Sequence, residues 1–395
     1  MLRGTPFHAR TSALCEAQNW RRWSGYLVAS SYELTHEREY AAIRSAAALI
    51  DISPLFKYRI GGPDALRLLN RVVTRDVSKC AVGQVMYTPW CDPAGKVIDD
   101  GTLARLDEQT FRLTSADPNL RWLSMNAPGL KLDIQDVSDS IAVLALQGPT
   151  SRDILKQVSD ADFDRLKYFR LTSTRVRGSP VTISRSGYTG DLGYELWIET
   201  QHAEPVWDAL MQAGAAYGIT PAGMLALDVA RIEAGLLLIE VDYTSAHKAL
   251  IEPRKSSPFE LGLGWTVGLD KAGFVGRRAL IQEHQRGSAW QFVGIEVEWE
   301  SMERLYLEVG LPPQLPTLAW RTSVPIYVNG RQVGYASSGC WSPLLKRCLA
   351  LAHLESAYAQ PGTPVTMEVT VEHRRKQASA RVAQLPFFNP ERKRL

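Results

Sequence analysis

Residues 185–198 read R-S-G-Y-T-G-D-L-G-Y-E-L-W-I, and this stretch says more about the fold than any other of similar length. Its glycines recur every third residue, at 187, 190 and 193, which predicts a tight turn that leads into a strand and leaves backbone open to a ligand. Side chains alternate between the two faces of a strand, so Glu195 and Trp197 share one face and an apolar set shares the other. The stretch therefore predicts a strand that carries one carboxylate among aromatic rings.

The chemistry of Glu195 has two interpretations. A carboxylate beside aromatic rings suits a flat heterocycle with adjacent N–H donors, because two oxygens accept two parallel hydrogen bonds while rings cover its face. An amphipathic strand with a solvent-facing side is the simpler interpretation, and the pattern alone favours it. The glycine spacing is not that of a dinucleotide fingerprint, and no G-x-x-x-x-G-K-[ST] occurs, which argues against phosphate binding.

Length and composition set the broad class. A chain of 395 residues exceeds what one core usually holds, so two or three sub-domains are expected. The formal net charge is only +3 and is spread along the chain, which argues against nucleic-acid and membrane partners. The first ten residues lack a signal-peptide core and no long apolar run occurs, so we expect a cytoplasmic protein. The closing E-R-K-R-L is expected to be a solvated end.

Metal and disulfide chemistry have little support in the sequence. The five cysteines are scattered without a C-x-x-C pair, and the seven histidines form neither H-x-x-x-H nor H-E-x-x-H. Cys340 lies in a turn between predicted strands, where an isolated cysteine is usually inert packing. No metal site is predicted.

Periodicity predicts a mixed α+β protein. Helices are predicted over residues 37–50, 62–73, 203–214 and 221–235, and strands over 96–106, 111–115, 141–146 and 194–199. After Phe292 the pattern changes to short strands, with an Asn329-Gly330 hairpin turn and further strands at 364–371 and 379–383. The last third is therefore predicted to be a small barrel or sandwich.

Asp99 and Asp100 are adjacent carboxylates within the predicted strand 96–106. Successive side chains of a strand point to opposite faces, so the two acids cannot both act on one substrate. The preceding D-P-A-G-K is a turn signal, which makes a solvated or turn-pairing role plausible for either one. One of them is available to face a cavity.

Nine short stretches, distributed along nearly the whole chain, carry a family resemblance. They are I-R-S-A-A-A-L-I-D-I-S (43–53), T-R-D-V-S-K (74–79), G-K-V-I-D-D-G-T (95–102), L-A-L-Q-G-P (144–149), S-G-Y-T-G-D-L-G-Y-E-L (186–196), R-I-E-A-G-L (231–236), S-P-F-E-L-G-L-G-W-T-V (257–267), F-V-G-R-R-A-L (274–280) and S-S-G-C-W-S-P (337–343). In these stretches and their order, the chain resembles the glycine cleavage T-protein (aminomethyltransferase) family of tetrahydrofolate-dependent one-carbon transferases.

The resemblance implies a three-lobed α+β fold with a C-terminal β-barrel domain. It places a folate-binding domain in two segments, 1–50 and 140–245, an inserted α+β domain at 51–139, and a linker with the barrel at 246–395. Tetrahydrofolate is the implied cofactor, with its ring system buried in a central channel.

The resemblance also assigns residues. Glu195 matches the family glutamate that binds the pteridine end of tetrahydrofolate, and Asp99 matches the essential carboxylate near the reactive nitrogens. Pocket-lining matches are Tyr188, Tyr87 and Trp265, with Leu55 and Ser115 as looser placements.

One departure bears on the reaction. Where T-proteins read A-R-D, this chain reads Ala226-Leu227-Asp228, so the arginine that assists folate binding is absent. The expected function is transfer of a methyl or methylene group from a small donor to tetrahydrofolate, as in a branch similar to dimethylsulfoniopropionate demethylase. The alternatives are a T-protein proper, with a lipoyl carrier protein as partner, and a non-catalytic folate-binding protein of iron–sulfur assembly. The K-G-C-Y-x-G-Q segment of that last group is missing.

Overall fold

The computed structural model describes residues 2–395. The chain starts with two helices and four strands, which supply a small three-stranded sheet in the order β1-β3-β2 and the first strand of a larger one. These elements are β1 (Arg3–Gly4), α1 (His8–Leu14), β2 (Asn19–Trp23), β3 (Tyr26–Ser31), α2 (Glu37–Ser45) and β4 (Ala47–Asp51).

The next segment forms a separate five-stranded sheet in the order β6-β7-β8-β5-β9. Its elements are β5 (Phe56–Gly61), α3 (Ala65–Val72), β6 (Val85–Cys91), β7 (Val97–Arg105), β8 (Thr110–Ser115), α4 (Leu120–Met125) and β9 (Asp133–Asp136).

The chain then returns to the sheet that β4 began. This sheet has six strands in the order β11-β12-β13-β10-β4-β14, so the five-stranded sheet lies between its two contributing segments in sequence. The returning elements are β10 (Ile141–Gln147), α5 (Ser151–Val158), β11 (Leu171–Val176), β12 (Ser179–Ser184), β13 (Gly193–Glu199), α6 (Ala203–Gly214), β14 (Ile219–Pro221) and α7 (Met224–Glu233).

The last third closes into a six-stranded barrel in the order β15-β18-β17-β16-β19-β20. Asn329 and Gly330 both have positive φ, 50° and 77°, as a two-residue hairpin loop requires, so the predicted hairpin is confirmed. The elements are α8 (Arg277–Arg286), β15 (Trp290–Val297), α9 (Trp299–Leu307), β16 (Val324–Val328), β17 (Arg331–Ser342), β18 (Arg347–Glu355), β19 (Pro364–Val371) and β20 (Arg374–Ala383).

The six-stranded sheet is buried on both sides. On β13, alternate residues Tyr194, Leu196 and Ile198 enter a core closed by α5 and α6, while Trp197 enters a second core on the other face. Trp197 is only 5% exposed, so the solvent-facing side expected from the simpler interpretation of this strand is wrong.

One predicted helix was half wrong. Residues 37–50 were predicted as a single helix, but α2 ends at Ser45 and residues 47–51 form β4. This strand is fully buried, with Leu49 in one core and Ile50 in the other, and a strand covered on both faces reads as a continuous apolar run. Such a run has no period that separates strand from helix.

The two faces of the five-stranded sheet differ in chemistry. Residues directly opposite in an antiparallel pair project to the same side. The register pairs Tyr87 with Thr102 and Ala104 with Arg112, so these residues share one face with Asp100. The opposite face is apolar and packs under α3.

The polar face of this sheet meets the second face of the six-stranded sheet. The Cζ atom of Arg112 lies 3.7 Å from the centre of the Trp197 ring. We call the place where these two surfaces meet the intersheet cleft. One surface carries Tyr87, Asp100 and Arg112, and the other carries Glu195 and Trp197. None of the helices between residues 2 and 395 has the length and apolarity needed to span a membrane. The expected division into domains stays a prediction.

Candidate active site

The two adjacent acids of β7 have different surroundings. Asp99 is fully buried on the apolar side, where its carboxylate accepts hydrogen bonds from the backbone N–H of Asp100 (2.8 Å) and Asp117 (3.0 Å) and from Nδ2 of Asn119 (2.8 Å). Burial raises the pKa of Asp99 well above its ordinary value, with the charge of Asp100 adding to the effect and the two backbone N–H groups opposing it. Ser115 lies on the same side and donates to the backbone oxygen of Asp117 (2.7 Å). The structure thus places Asp99 and Ser115 in the network that holds the 115–119 loop.

Asp100 faces the intersheet cleft. Its Oδ2 atom accepts a hydrogen bond from the hydroxyl of Tyr87 at 2.8 Å, and its Oδ1 atom accepts one from the hydroxyl of Tyr243. The side chain is half-buried, and burial raises the pKa of Asp100 while the two tyrosine hydroxyls oppose the rise. An aspartate held in this way combines a fixed orientation with a raised proton affinity, which suits a proton acceptor.

Glu195 lies on the facing wall. Its Oε2 atom accepts from the hydroxyl of Ser186 at 2.8 Å, and that hydroxyl lies 2.9 Å from Oγ of Ser184. Burial raises the pKa of Glu195, and Ser186 and Arg112 oppose the rise. A carboxylate has about four lone-pair sites, so most of the acceptor capacity of Glu195 is not used by this hydrogen bond.

The three glycines around Tyr188 make room for a side chain of the protein. A Cβ atom at Gly187 or Gly193 would lie 2.0–2.3 Å from the amide of Gln147, and a Cβ at Gly190 would lie 2.4 Å from Ala234. Gln147 Nε2 donates to the backbone oxygen of Ser186 (3.2 Å) from beneath the loop. The glycine spacing therefore serves internal packing, where the sequence suggested an approach of backbone to a ligand.

Aromatic side chains surround Asp100. Tyr188 is half-buried and donates its hydroxyl to the backbone oxygen of Leu237; burial raises its pKa, and the charge of Asp100 is among the nearby charges that act on it. The rings of Tyr87 and Trp265 lie 6.2 Å apart at 27°, and Trp265 is 63% exposed. The rings therefore leave one open side.

The structure brings together most of the predicted site residues but not all. Tyr87 and Trp265 stack beside Asp100, Tyr188 lies close by, and Leu55 packs against the core that contains Trp197. Glu195 lies on the other sheet, near Arg112. Asp99 and Ser115 lie on the other face of the sheet, so their assignment stays a prediction without geometric support. Sequence reasoning missed Tyr243 and Arg112, and no motif around either of them gave a signal.

The helix with the missing arginine is held by a charge network. Asp228 accepts from Nε of Arg231 (3.2 Å) and from Nε of Arg321 (2.8 Å), which lies between α9 and β16. Arg231 also donates to Asp242 (2.5 Å), whose other oxygen accepts from the hydroxyls of Ser337 (2.6 Å) and Ser338 (2.7 Å) in the barrel. These contacts fasten α7 to the barrel.

The end of the chain is largely exposed, as expected of a solvated end, but it is also tied to the loop that carries Tyr188. Arg392 donates two hydrogen bonds to the carboxylate of Asp191, at 2.7 and 2.8 Å, and Arg185 donates to the backbone oxygens of Arg392 and Lys393. The sequence did not predict these contacts, because a short charged run does not indicate which residues it will bind. The contacts fix both ends of the loop that carries Tyr188.

Comparisons with known proteins agree with this geometry. Residues 7–271 match the family model described as GCVT N-terminal domain, and residues 308–389 match that of the glycine cleavage T-protein C-terminal barrel domain. An aminomethyltransferase of Halothermothrix orenii is 35% identical over 354 residues, which cover 89% of this chain and 90% of that protein. A trimethylamine-oxide aldolase of Ruegeria pomeroyi is 33% identical over 408 residues, which cover this whole chain but 48% of the relative.

Among solved structures, the glycine cleavage system aminomethyltransferase T of Bartonella henselae superposes with a TM-score of 0.83. The match covers 98% of this chain and 99% of that chain at 24% identity. At this identity the likeness concerns the fold alone, and it confirms the expected α+β fold with a C-terminal barrel.

Proposed function

Because the chain belongs to the glycine cleavage T-protein family of tetrahydrofolate-dependent enzymes, we propose that it binds tetrahydrofolate in the intersheet cleft and transfers a methyl or methylene group to it from a small donor. The observation that carries the proposal is the position of Asp100, held between the hydroxyls of Tyr87 and Tyr243 on the sheet face that meets the strand of Glu195. We assign the site's acid to Asp100 in place of Asp99, because only Asp100 faces the cleft.

The residues of the cleft fit the chemistry of a reduced pterin. Glu195 keeps unused acceptor capacity for the two adjacent N–H donors of the amino-pyrimidinone ring, and the ring of Trp197 lies on the same side of β13. Tyr87 and Tyr188 are available to cover the ring system. Tetrahydrofolate supplies the nucleophilic nitrogen lone pair that accepts the one-carbon unit.

The protein's contribution is alignment and charge placement. Holding donor and acceptor in line is worth about 7–11 kcal/mol of barrier in favourable cases. Asp100 places a negative charge where positive charge develops on the donor, and its raised pKa allows it to accept a proton there. Tyr87 and Tyr243 fix the orientation of that carboxylate in advance.

A small donor is favoured by the residues of α7. Leu227 stands where T-proteins carry an arginine, and it packs against the core that contains Trp197. The nearby guanidinium of Arg321 is already engaged with Asp228. The aldolase relative, whose name specifies a methylated amine oxide, supports a small methylated compound as the donor class.

The second candidate is an aminomethyltransferase of the glycine cleavage system, with a lipoyl carrier protein as donor. It is favoured by the names of relatives such as the Halothermothrix orenii protein, which matches this chain over 89% of its length. The exposed face of Trp265 leaves the cleft accessible from outside, as a carrier-borne arm would require.

The test is a screen of one-carbon donors with tetrahydrofolate, with the folate product identified by mass spectrometry. Methyl-tetrahydrofolate from an N-, S- or O-methyl compound supports the small-donor proposal. Methylene-tetrahydrofolate from aminomethyl-lipoyl carrier protein, with no turnover of small donors, supports the second candidate. Failure to bind tetrahydrofolate at all contradicts both.

A further inference from the structure

Arg112 is the one of four buried arginines that the protein leaves without an acceptor. Arg44, Arg185 and Arg231 are at most 7% exposed and donate to carboxylates or backbone oxygens. Arg112 is 8% exposed, yet its guanidinium forms neither an ion pair nor a hydrogen bond with the residues between 2 and 395, and its Nε is buried without a partner. A buried cation without acceptors is strongly unfavourable, so a binding partner from outside the chain is expected.

The surroundings of Arg112 indicate what that partner offers. Its guanidinium lies over the ring of Trp197, with Cζ 3.7 Å from the ring centre, which limits where it can move. Trp197 and Glu195 are two residues apart on one face of β13, so the guanidinium lies roughly 6–7 Å along the strand from the position of Glu195. Burial lowers the pKa of Arg112 to about 9, and the nearby charge of Glu195 opposes that shift.

Arg112 and Glu195 are close enough to influence one another but form no ion pair. The cleft therefore presents donors from Arg112 and acceptors from Glu195 with a gap between them. A ligand edge that bridges this gap has an acceptor beside donors. The amino-pyrimidinone edge of a pterin has this order, with a ring carbonyl next to a ring N–H and an exocyclic amine.

We propose that Arg112 is a specificity-determining residue that donates hydrogen bonds to the ring carbonyl oxygen of the amino-pyrimidinone whose N–H donors Glu195 accepts. The inference rests on the proposed function, since it needs a reduced folate in the cleft. It adds a second recognition contact, of opposite polarity to the glutamate.

The experiment compares two ligands in three proteins by anaerobic titration calorimetry. The ligands are tetrahydrofolate and its 4-amino analogue, in which the ring carbonyl is replaced by an amine that cannot accept from Arg112 and the adjacent ring nitrogen loses its hydrogen. Because that loss also changes the contact with Glu195, the effect of Arg112 is read from the change between proteins for each ligand. The proteins are the wild type, Arg112→Met and Arg59→Met. Arg59 is the matched control, because it lies directly opposite Arg112 in the neighbouring strand and is exposed.

We expect Arg112→Met to weaken tetrahydrofolate binding about 10- to 150-fold, the range for a lost hydrogen bond to a charged group. Binding of the 4-amino analogue should change less than about threefold, and Arg59→Met should alter neither ligand. Ligand-free Arg112→Met should melt at or above the wild-type temperature, because it removes an unpaired buried charge.

Three results would overturn the inference. They are equal weakening of both ligands by Arg112→Met, unchanged binding of tetrahydrofolate in that variant, and a wild type that binds the two ligands equally. The last of these does not depend on any variant folding. A wild type that binds neither ligand would reject the proposed function itself, and this outcome is separate from the other three.

Discussion

The two faces of the five-stranded sheet carry neighbouring aspartates that differ in exposure and in the kind of group that donates to them. On the apolar face, Asp99 accepts three hydrogen bonds from the protein and is sealed from solvent. On the cleft face, Asp100 keeps part of its surface accessible, and Arg112 on the same face lacks an acceptor. A single step along β7 therefore separates an acid buried in the fold from one that faces the cleft.

A polar group that completes the fold differs in this respect from one that serves a ligand. A buried polar group that serves the fold has its hydrogen bonds completed by the chain. A group that serves a ligand is held in place but left short of partners, and the protein is less stable for it. The following substitutions test whether the apolar face contributes to stability and the cleft face to binding and turnover.

The largest effect is expected for Asp100→Asn. The amide keeps the shape of the side chain but cannot act as a proton acceptor, so turnover should fall about 10²- to 10⁴-fold. Steady-state rates with a productive donor measure this, and binding of tetrahydrofolate serves as the control for an intact cleft. A variant that keeps wild-type turnover would contradict the assignment of the acid to Asp100.

The corresponding change on the other face, Asp99→Ala, should act on stability. It leaves the N–H groups of Asp117 and Asn119 buried without an acceptor, which should lower the free energy of unfolding by about 2–4 kcal/mol. Denaturant titration measures that loss, and turnover of the folded fraction should stay within about threefold of the wild type. Loss of turnover without loss of stability would restore Asp99 as the site's acid.

Glu195→Gln sharpens the comparison on the opposite wall of the cleft. It presents an amide where the ring N–H donors need acceptors, so tetrahydrofolate affinity should fall about 10- to 150-fold. The turnover number at saturating folate should change little. Glu199→Gln is the matched control, since Glu199 lies on the same face of β13 but is exposed. Equal loss of tetrahydrofolate affinity in the two variants would contradict the role of Glu195.

The pH dependence of the melting temperature reports whether Asp100 is protonated or ionised in the folded protein. Its folded-state pKa is raised, so the wild type is destabilised at pH values above that pKa, where the buried carboxylate is charged. Asp100→Asn lacks this cost. Its melting temperature should therefore exceed the wild-type value near pH 7, and the difference should shrink as pH falls toward about 4, the ordinary value for aspartate. A difference that stays constant from pH 4 to 8 would show that Asp100 does not titrate in this way.

The smallest effect is expected at the end of the chain. Arg392→Met removes the ion pair with Asp191, and because Arg392 is 42% exposed the loss in stability should be about 1 kcal/mol or less. The loop of Tyr188 should become more mobile, with a modest rise in KM for tetrahydrofolate. Faster amide hydrogen exchange in residues 185–192 than in the wild type is the direct readout.

Local patterns predicted some elements well and failed where burial is symmetric. Helix α6 coincides with the predicted 203–214, because one side of that helix packs on the sheet and the other meets solvent. Strand β4 has no such asymmetry and was taken for helix. Family motifs led to Glu195 and Tyr188, whereas alternation along β7 showed only that the two aspartates diverge.

The remaining part of the site depends on contacts that no local pattern encodes. Tyr243 reaches Asp100 across 143 residues of sequence, and Arg112 meets Trp197 only because two sheets pack face to face. Which face of β7 meets the six-stranded sheet is decided by that packing. A single sequence contains no period or spacing that reports it.

Asp242 and Tyr243 are consecutive residues with contacts in opposite directions. Asp242 is bound by two serines of the barrel, and the hydroxyl of Tyr243 is bound to Asp100. One peptide unit thereby connects the barrel to the acid that the proposed function places in the cleft. Substitutions such as Ser338→Ala, in the barrel and away from the proposed folate site, should consequently change the turnover number.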